Sequence, residues 1–115
     1  EIAHKMFGKL SWKELFDPSI ELCENGFQVT KTASIVYKAN FHLIKDKVLK
    51  SIITNPITNR TYDQNDIIKR PDLARTLRII AENGADAFYN GELTSKIVNE
   101  INENGYKSLY NKIKK

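Results

Sequence analysis

The chain has 115 residues, of which 41% are hydrophobic and 28% are charged. This composition is typical of soluble globular segments, and the length allows one modest core. The sequence has no run near the roughly 18–20 apolar residues that span a bilayer, and no charged segment leading into an apolar one, as in a signal peptide. We therefore expect neither a membrane span nor a targeting signal within this stretch.

The net charge of +4 is concentrated at one end of the chain. Residues 1–106 carry equal numbers of basic and acidic side chains, and the excess comes from Lys107, Lys112, Lys114 and Lys115. Nucleic-acid-binding domains usually place basic residues on a folded face, with aromatic or polar readers among them. A neutral body with a short lysine-rich tail argues against nucleic acid as a partner.

Residues that could carry chemistry are isolated from one another. Cys23 is the only cysteine, so no internal disulfide can form, and its helical spacing from Ile20 and Phe27 favours a buried apolar role. No pattern pairs it with His4 or His42 as a base, and no cluster has the spacing of metal ligands. We expect no metal site and no cofactor.

Helix-end signals predict helices in the first part of the chain. Ser11 and Glu14 form a capping box before a short helix that carries Trp12, and Asp17-Pro18 begins a second helix that runs to about Asn25. Gly26 provides the left-handed residue that ends it.

A longer helix is predicted over residues 31–44, with Thr30 as its cap and an apolar set at helical intervals. That set is Ala33, Val36, Tyr37, Phe41 and Ile44. Residues 48–53 predict a further short helix. Residues 54–69 are rich in turn formers without periodicity, which indicates a loop that can hold a small hairpin.

The clearest helix begins at Pro71 and ends at Gly84, followed by a single turn over residues 87–89 and a last helix over about 92–104. Gly84 and Gly91 lack the arrangement of phosphate-binding loops, so we interpret them as helix punctuation. Phe88-Tyr89 is interpreted as aromatic packing at a helix corner. The sequence therefore predicts an all-α segment.

The second half of the chain also carries a motif pattern. The pattern runs from a proline and an acidic residue to an Asp-Ala-Phe-Tyr-x-Gly motif and an Ile-Val pair. Its residues are Pro71, Asp72, Leu73-Ala74, Thr76-Leu77, Gly84, Asp86-Ala87-Phe88-Tyr89, Gly91 and Ile97-Val98. Further motifs upstream are Glu1-Ile2-Ala3-His4, Gly8-Lys9-Leu10-Ser11-Trp12, Leu15-Phe16, Pro18-Ser19-Ile20 and Gly26-Phe27-Gln28-Val29. Over about residues 1–105 the chain resembles the gamma-glutamyltranspeptidases, or glutathione hydrolases, whose members are several times longer.

The resemblance implies an N-terminal-nucleophile hydrolase with a four-layer αββα fold, divided between a large and a small subunit by self-cleavage. Such enzymes cleave the gamma-glutamyl bond of glutathione through an acyl-enzyme and transfer the group to water, amino acids or peptides. This chain would be a helical outer portion of the large subunit, with most of the sheets absent.

No catalytic, substrate-binding or metal residue of the family can be placed on this sequence. The family's nucleophilic threonine begins the small subunit within a Thr-Thr-His-x-Ser-like motif, and no threonine here has that context. The substrate-binding arginine lies upstream of the matched stretch. The chain alone is therefore predicted to be inactive.

Residues 1–105 are predicted to be a partial large-subunit segment, and residues 106–115 a divergent lysine-rich tail. The expected partners are the remainder of the large subunit and the small subunit, with glutathione as the substrate of the whole enzyme. The alternative is a free-standing helical interaction module derived from a truncated, inactive paralogue.

The resemblance also implies a whole protein that is secreted or held at the extracellular face of the plasma membrane. Asn59-Arg60-Thr61 is the only Asn-x-Ser/Thr sequon in the chain, and it falls in the polar loop, where a glycan can be accommodated. Asn59 is therefore a candidate N-glycosylation site. The alternative is that Asn59 is simply a turn residue.

Overall fold

The computed structural model describes residues 1–103. The described residues divide into two compact units, one formed by residues 1–20 with residues 72–103, the other by Glu21–Pro71. The predicted boundary at 105/106 and the lysine-rich tail lie outside the described residues, so this division stays a prediction.

Helices dominate the described residues. The α-helices are α1 (Ile2–Phe7), α2 (Asp17–Asn25), α3 (Lys31–Asn40), α4 (Lys47–Ile52), α5 (Pro71–Asn83), α6 (Asp86–Tyr89) and α7 (Glu92–Glu103), with single 3₁₀ turns at Lys13–Leu15 and Phe41–Leu43. Four two-residue strands are β1 (Phe27–Gln28), β2 (Thr54–Asn55), β3 (Arg60–Thr61) and β4 (Ile67–Ile68). The predicted helical segment is confirmed in its main elements.

Several predicted helix ends are confirmed, but α3 ends at Asn40 and not at residue 44 as predicted. Ser11 Oγ accepts from Glu14 N at 3.3 Å, and Glu14 Oε2 accepts from Ser11 N at 2.7 Å, which is the reciprocal capping box. Hydrogen bonds to the Glu14 carboxyl from the side chain and the backbone N–H of Ser11 lower its pKa. Thr30 Oγ1 accepts from Ala33 N at 3.2 Å at the start of α3, and Gly26 ends α2 with a φ of +92°.

The strands correct the all-α prediction. Strands β1 and β4 pair antiparallel with Phe27 opposite Ile68, and β2 and β3 pair with Thr54 opposite Thr61. The hairpin of β2 and β3 confirms the one anticipated in the loop, but β1 and β4 were not predicted. Two residues cannot display the alternation that reveals a strand. The β1–β4 pair is defined only by backbone hydrogen bonds between segments that are distant in sequence.

One buried position was predicted wrongly. Phe27 is 42% exposed, although Ile20 and Cys23 on the same predicted face are buried. Gly26 ends the helix before Phe27, so Phe27 follows the direction of a strand and leaves the helical face. Helix α1 was also not predicted.

The core of the Glu21–Pro71 unit is small. Val29, Tyr62 and Ile68 form a buried cluster with Ala33 and Tyr37 packed against it, and Cys23 and Ile53 are also buried. Burial of a valine or isoleucine side chain contributes about 1.5–3 kcal/mol. The unit therefore rests on few apolar contacts and depends on its polar network, described below.

In the other unit, Trp12 links distant segments. Its Nε1–H donates to Ile80 O at 3.0 Å, and its ring lies 5.1 Å from that of Phe16 and 5.4 Å from that of His4. Aromatic groups at these separations pack favourably. Trp12 thus links the start of the chain to α5. Its position in a short capped turn did not predict this long-range contact.

Candidate functional site

The side chains best suited to chemistry have structural roles in this structure. Cys23 is 8% exposed and packs as a small apolar group, as predicted. The ring of His4 contacts Trp12, and its Nε2 lies 2.9 Å from Leu10 O. His42 lies exposed in a 3₁₀ turn. Within residues 1–103, no group of three or more His, Cys, Asp or Glu side chains could hold a metal ion.

Several threonine hydroxyls are engaged with the backbone. Thr54 Oγ1 donates to Lys50 O at 2.7 Å, Thr76 Oγ1 to Asp72 O at 3.1 Å, and Thr94 Oγ1 to Phe88 O at 2.9 Å. A nucleophilic hydroxyl needs an adjacent base, whereas these hydroxyls satisfy carbonyl oxygens. These three threonines and the capping Thr30 support the helices and strands.

The glycine and aromatic predictions for the α5–α7 region hold. Gly84 follows α5 with a φ of +73°, and Gly91 packs against α6, where a Cβ would lie 2.7 Å from Ala87 Cα. The rings of Phe88 and Tyr89 are 5.2 Å apart at 85°, an edge-to-face pair. Both glycines act at helix ends, and the aromatic residues pack on each other.

Asn59 lies in the tight connection between β2 and β3. Its N–H donates to Asn55 O at 2.9 Å, and its φ is +55°, a left-handed conformation that asparagine tolerates better than most residues. Asn55 Oδ1 accepts from Ile57 N at 2.9 Å and shapes the same turn. Asn59 is exposed. The structure therefore presents the sequon at the surface of a defined hairpin.

Asp66 is the centre of the polar network beside this hairpin. Its Oδ2 accepts from Asp63 N at 2.9 Å and from Asn55 Nδ2 at 3.1 Å. Its backbone carbonyl accepts from Val29 N at 2.8 Å. One aspartate thus joins the hairpin, the following turn and the segment after β1.

The network changes two pKa values in the same region. The hydrogen bonds from Asp63 N and the Asn55 side chain lower the pKa of Asp66, and the Lys38 charge acts in the same direction. Burial raises the pKa of the Tyr62 hydroxyl, with the Asp66 charge as a second cause. Both groups keep their usual charge at neutral pH, so the arrangement supports structure and supplies no general base.

Sequence reasoning identified this segment as a turn-rich loop but did not identify Asp66. The available signal was the density of Asn and Asp residues between Asn55 and Asp66, since these side chains hydrogen-bond nearby backbone groups. Which of them would become the shared acceptor depends on β1 lying beside the turn. That pairing was not visible in the sequence.

The loss of the Asp66 charge is expected to weaken the Glu21–Pro71 unit on acidification. Because the folded-state pKa is lowered, the stabilisation is fully present above the ordinary aspartate value of 3.8 and is lost as the pH falls through the folded-state value. Asn55→Ala removes one donor and should move the Asp66 pKa upward. The measurement is a carboxyl-carbon NMR titration in sucrose, a non-ionisable osmolyte that favours burial.

The matched control for this titration is Thr58→Ala in the same hairpin, because Thr58 is exposed and donates nothing to Asp66. It should leave the Asp66 midpoint unchanged. Equal midpoints in the Asn55 variant and the wild-type chain would show that the amide does not lower this pKa.

A groove of about 450 Å³ borders the hairpin and is lined in part by Pro56, Ile57, Tyr62 and Ile67. Its walls are mainly apolar, and Asn55 and Lys69 are its polar lining residues besides Tyr62. Among the described residues no helix has the length and apolar character to cross a membrane.

Comparison with proteins of known structure defines the class of fold. The chain matches the gamma-glutamyltranspeptidase of Helicobacter pylori with a TM-score of 0.80 and 26% identity, over 89% of this chain and 29% of that one. The segment is therefore a mostly helical part of a gamma-glutamyltranspeptidase-type fold.

Sequence comparisons identify the family. The family profile described as gamma-glutamyltranspeptidase matches residues 1–112. Glutathione hydrolase proenzyme 2 of Schizosaccharomyces pombe and scoloptoxin SSD14 of Scolopendra dehaani are each 37% identical over 105 residues, or 90% of this chain. The chain belongs to the gamma-glutamyltranspeptidase family, which confirms the resemblance. It spans 17% and 18% of the length of these two relatives.

Proposed function

We propose that this chain is a non-catalytic structural segment of the large subunit of a gamma-glutamyltranspeptidase. The whole enzyme would cleave the gamma-glutamyl bond of glutathione and transfer the group to water, amino acids or peptides. The segment would help to cover the catalytic sheets. Its partners would be the remainder of the large subunit and the small subunit.

The main support is the apolar surface that the described residues leave uncovered. Helix α1 has no buried residue, and Ile2 and Phe7 on it are 79% and 77% exposed. Within residues 1–103, no large side chain is less than 2% exposed. Large apolar patches are rare on monomeric proteins and usually mark interfaces. These faces suit a segment that packs against further layers of a larger fold.

A chimeric enzyme tests this proposal. The aligned stretch of the Schizosaccharomyces pombe glutathione hydrolase proenzyme 2 is replaced by residues 1–105 of this chain. We expect the chimera to cleave itself into two subunits and to hydrolyse a chromogenic gamma-glutamyl anilide. The 115-residue chain by itself is expected to give no turnover above buffer, because it contains none of the family's nucleophile or carboxylate-binding motifs.

Surface variants make the test specific. Ile2→Gln with Phe7→Gln in the chimera should reduce self-cleavage, since both side chains are exposed within the segment and would lose only contacts to the rest of the enzyme. Lys9→Gln with Lys13→Gln, also exposed in the same unit, is the control and should process normally. A chimera that never processes, or a chain that is active alone, would contradict the proposal. If the isolated chain folds well and does not associate with the rest of the enzyme, that result would favour the free-standing module.

The proposal also places the whole protein in the secretory pathway, either secreted or at the extracellular face of the plasma membrane, with Asn59 glycosylated. Its support is the exposed sequon on a defined hairpin. With a signal peptide added, expression in animal cells should give an N-glycosidase-sensitive product. Asn59→Gln and Thr61→Ala should abolish the mass shift, whereas the neighbouring Thr58→Ala, which preserves the sequon, should retain it. Asn59 found wholly unmodified by mass spectrometry would refute glycosylation.

A further inference from the structure

Three asparagine–glycine steps occur among the described residues: Asn25–Gly26, Asn83–Gly84 and Asn90–Gly91. Glycine after asparagine leaves the backbone nitrogen sterically open. That nitrogen can attack the side-chain Cγ, with loss of a proton and release of ammonia, to form a cyclic succinimide. Water then opens the ring to aspartate or isoaspartate. The net reaction consumes one water, releases one ammonia and requires no oxidant or reductant.

We propose that Asn90–Gly91 is a site of spontaneous deamidation and that the fold protects the other two steps. The attacking nitrogen is hydrogen-bonded at both protected steps. Gly26 N donates to Leu22 O at 3.0 Å, and Gly84 N donates to Ile80 O at 2.9 Å. Each bond is the last turn of a helix and must open before the nitrogen can reach Cγ.

The Asn90–Gly91 step lacks this protection. Within residues 1–103, Gly91 N donates to no backbone acceptor, and Asn90 is exposed. The Asn90 side chain is held by a single bond from Nδ2 to Asp86 Oδ1 at 2.8 Å. Because Asp86 is itself exposed, water can replace that bond at little cost.

Packing against α6 requires a glycine at position 91. A Cβ there would lie 2.7 Å from Ala87 Cα and 2.9 Å from Ala87 O. Both atoms belong to the backbone of α6, so the clash cannot be relieved by moving a side chain. The close approach of α6 to the start of α7 therefore requires glycine, and glycine after asparagine makes the step reactive.

Deamidation would alter this corner of the fold. The product carboxylate would face Asp86 where an amide now donates to it, so a hydrogen bond becomes a like-charge contact. Isoaspartate would also add a methylene to the backbone between α6 and α7. The bond from Thr94 Oγ1 to Phe88 O spans this connection and would be strained.

The test follows deamidation of the 115-residue chain at mildly alkaline pH, by peptide mapping with mass spectrometry. It is run in trimethylamine N-oxide and, separately, in urea. Under folding conditions Asn90 should react at least about tenfold faster than Asn25 and Asn83, equivalent to a local opening cost of about 1.4 kcal/mol at the protected steps. In urea the three rates should converge. Asn90→Gln should remove the fast deamidation in the peptide that contains position 90, leaving the rates at Asn25 and Asn83 unchanged.

Equal rates at the three steps under folding conditions would overturn the proposal, as would faster reaction at Asn25 or Asn83. Selectivity for Asn90 that persists unchanged in urea would assign it to local sequence and would also overturn it. These outcomes do not depend on enzyme activity, so the proposal can fail while the large-subunit assignment stands.

Discussion

In trimethylamine N-oxide, which favours the folded chain, replacement of Gly26 by alanine is expected to abolish hydrogen-exchange protection at the Val29 and Arg70 amides. Val29 N donates to Asp66 O and Arg70 N to Cys23 O, both at 2.8 Å, so these amides report on the β1–β4 region. Gly26 has a φ of +92°, and a Cβ there would lie 2.4 Å from Ile67 Cγ2 and 3.0 Å from Ile68 O.

Two costs combine in this variant. The left-handed backbone costs an L-residue about 1–2 kcal/mol, and overpacking adds about 1–3 kcal/mol. Ile67 can move, because it is partly exposed, but Ile68 O belongs to the paired strand. The expected total of about 2–5 kcal/mol is comparable with the roughly 3–5 kcal/mol that a small core supplies.

Gly84→Ala is the matched control. Gly84 has a similar φ of +73°, but its nearest atoms to an added Cβ are the Glu1 carboxylate oxygens at 3.4 Å. The variant therefore carries the backbone cost without the clash and should leave protection at Val29 and Arg70 intact. If Gly26→Ala preserves exchange protection as well as Gly84→Ala does, the close approach of Gly26 to β4 does not contribute to the stability of this region.

The isolated chain is expected to unfold over a broad temperature range and to bind a hydrophobic dye before unfolding. Ile57 is 89% exposed and α1 presents its apolar side chains to water, whereas the core of the Glu21–Pro71 unit contains only a few residues. Small cores leave little surplus over the conformational entropy of the chain.

Calorimetry, dye fluorescence and amide NMR on the monomer test this expectation. The chimeric enzyme is the reference, since the same residues should there resist exchange. A sharp cooperative melt with dispersed amide signals in the isolated monomer would contradict it. That result would favour the free-standing module over a segment that requires further layers.

Local signals in the sequence determined most of the helices. The Ser11–Glu14 box, the Thr30 cap and the glycines at 26 and 84 act within a few residues of the bonds they make or the conformations they adopt, so their effects can be predicted without knowing the fold. Cys23 was correctly predicted to be buried for the same reason, because it follows helical spacing from Ile20. The family motifs likewise depend only on residue order, and the comparisons confirmed the family.

Only the tertiary structure decided which side chains join distant segments. Asp66 became the shared acceptor because β1 lies beside its turn, and Trp12 bonds Ile80 across most of the chain. The same holds for Gly91, whose need for glycine comes from Ala87 in the preceding helix. Sequence periodicity reports a residue's own helix or strand, whereas these contacts are set by packing between elements. For that reason the sequence determined the helices and the family, and the fold determined the polar network and the reactivity of its asparagines.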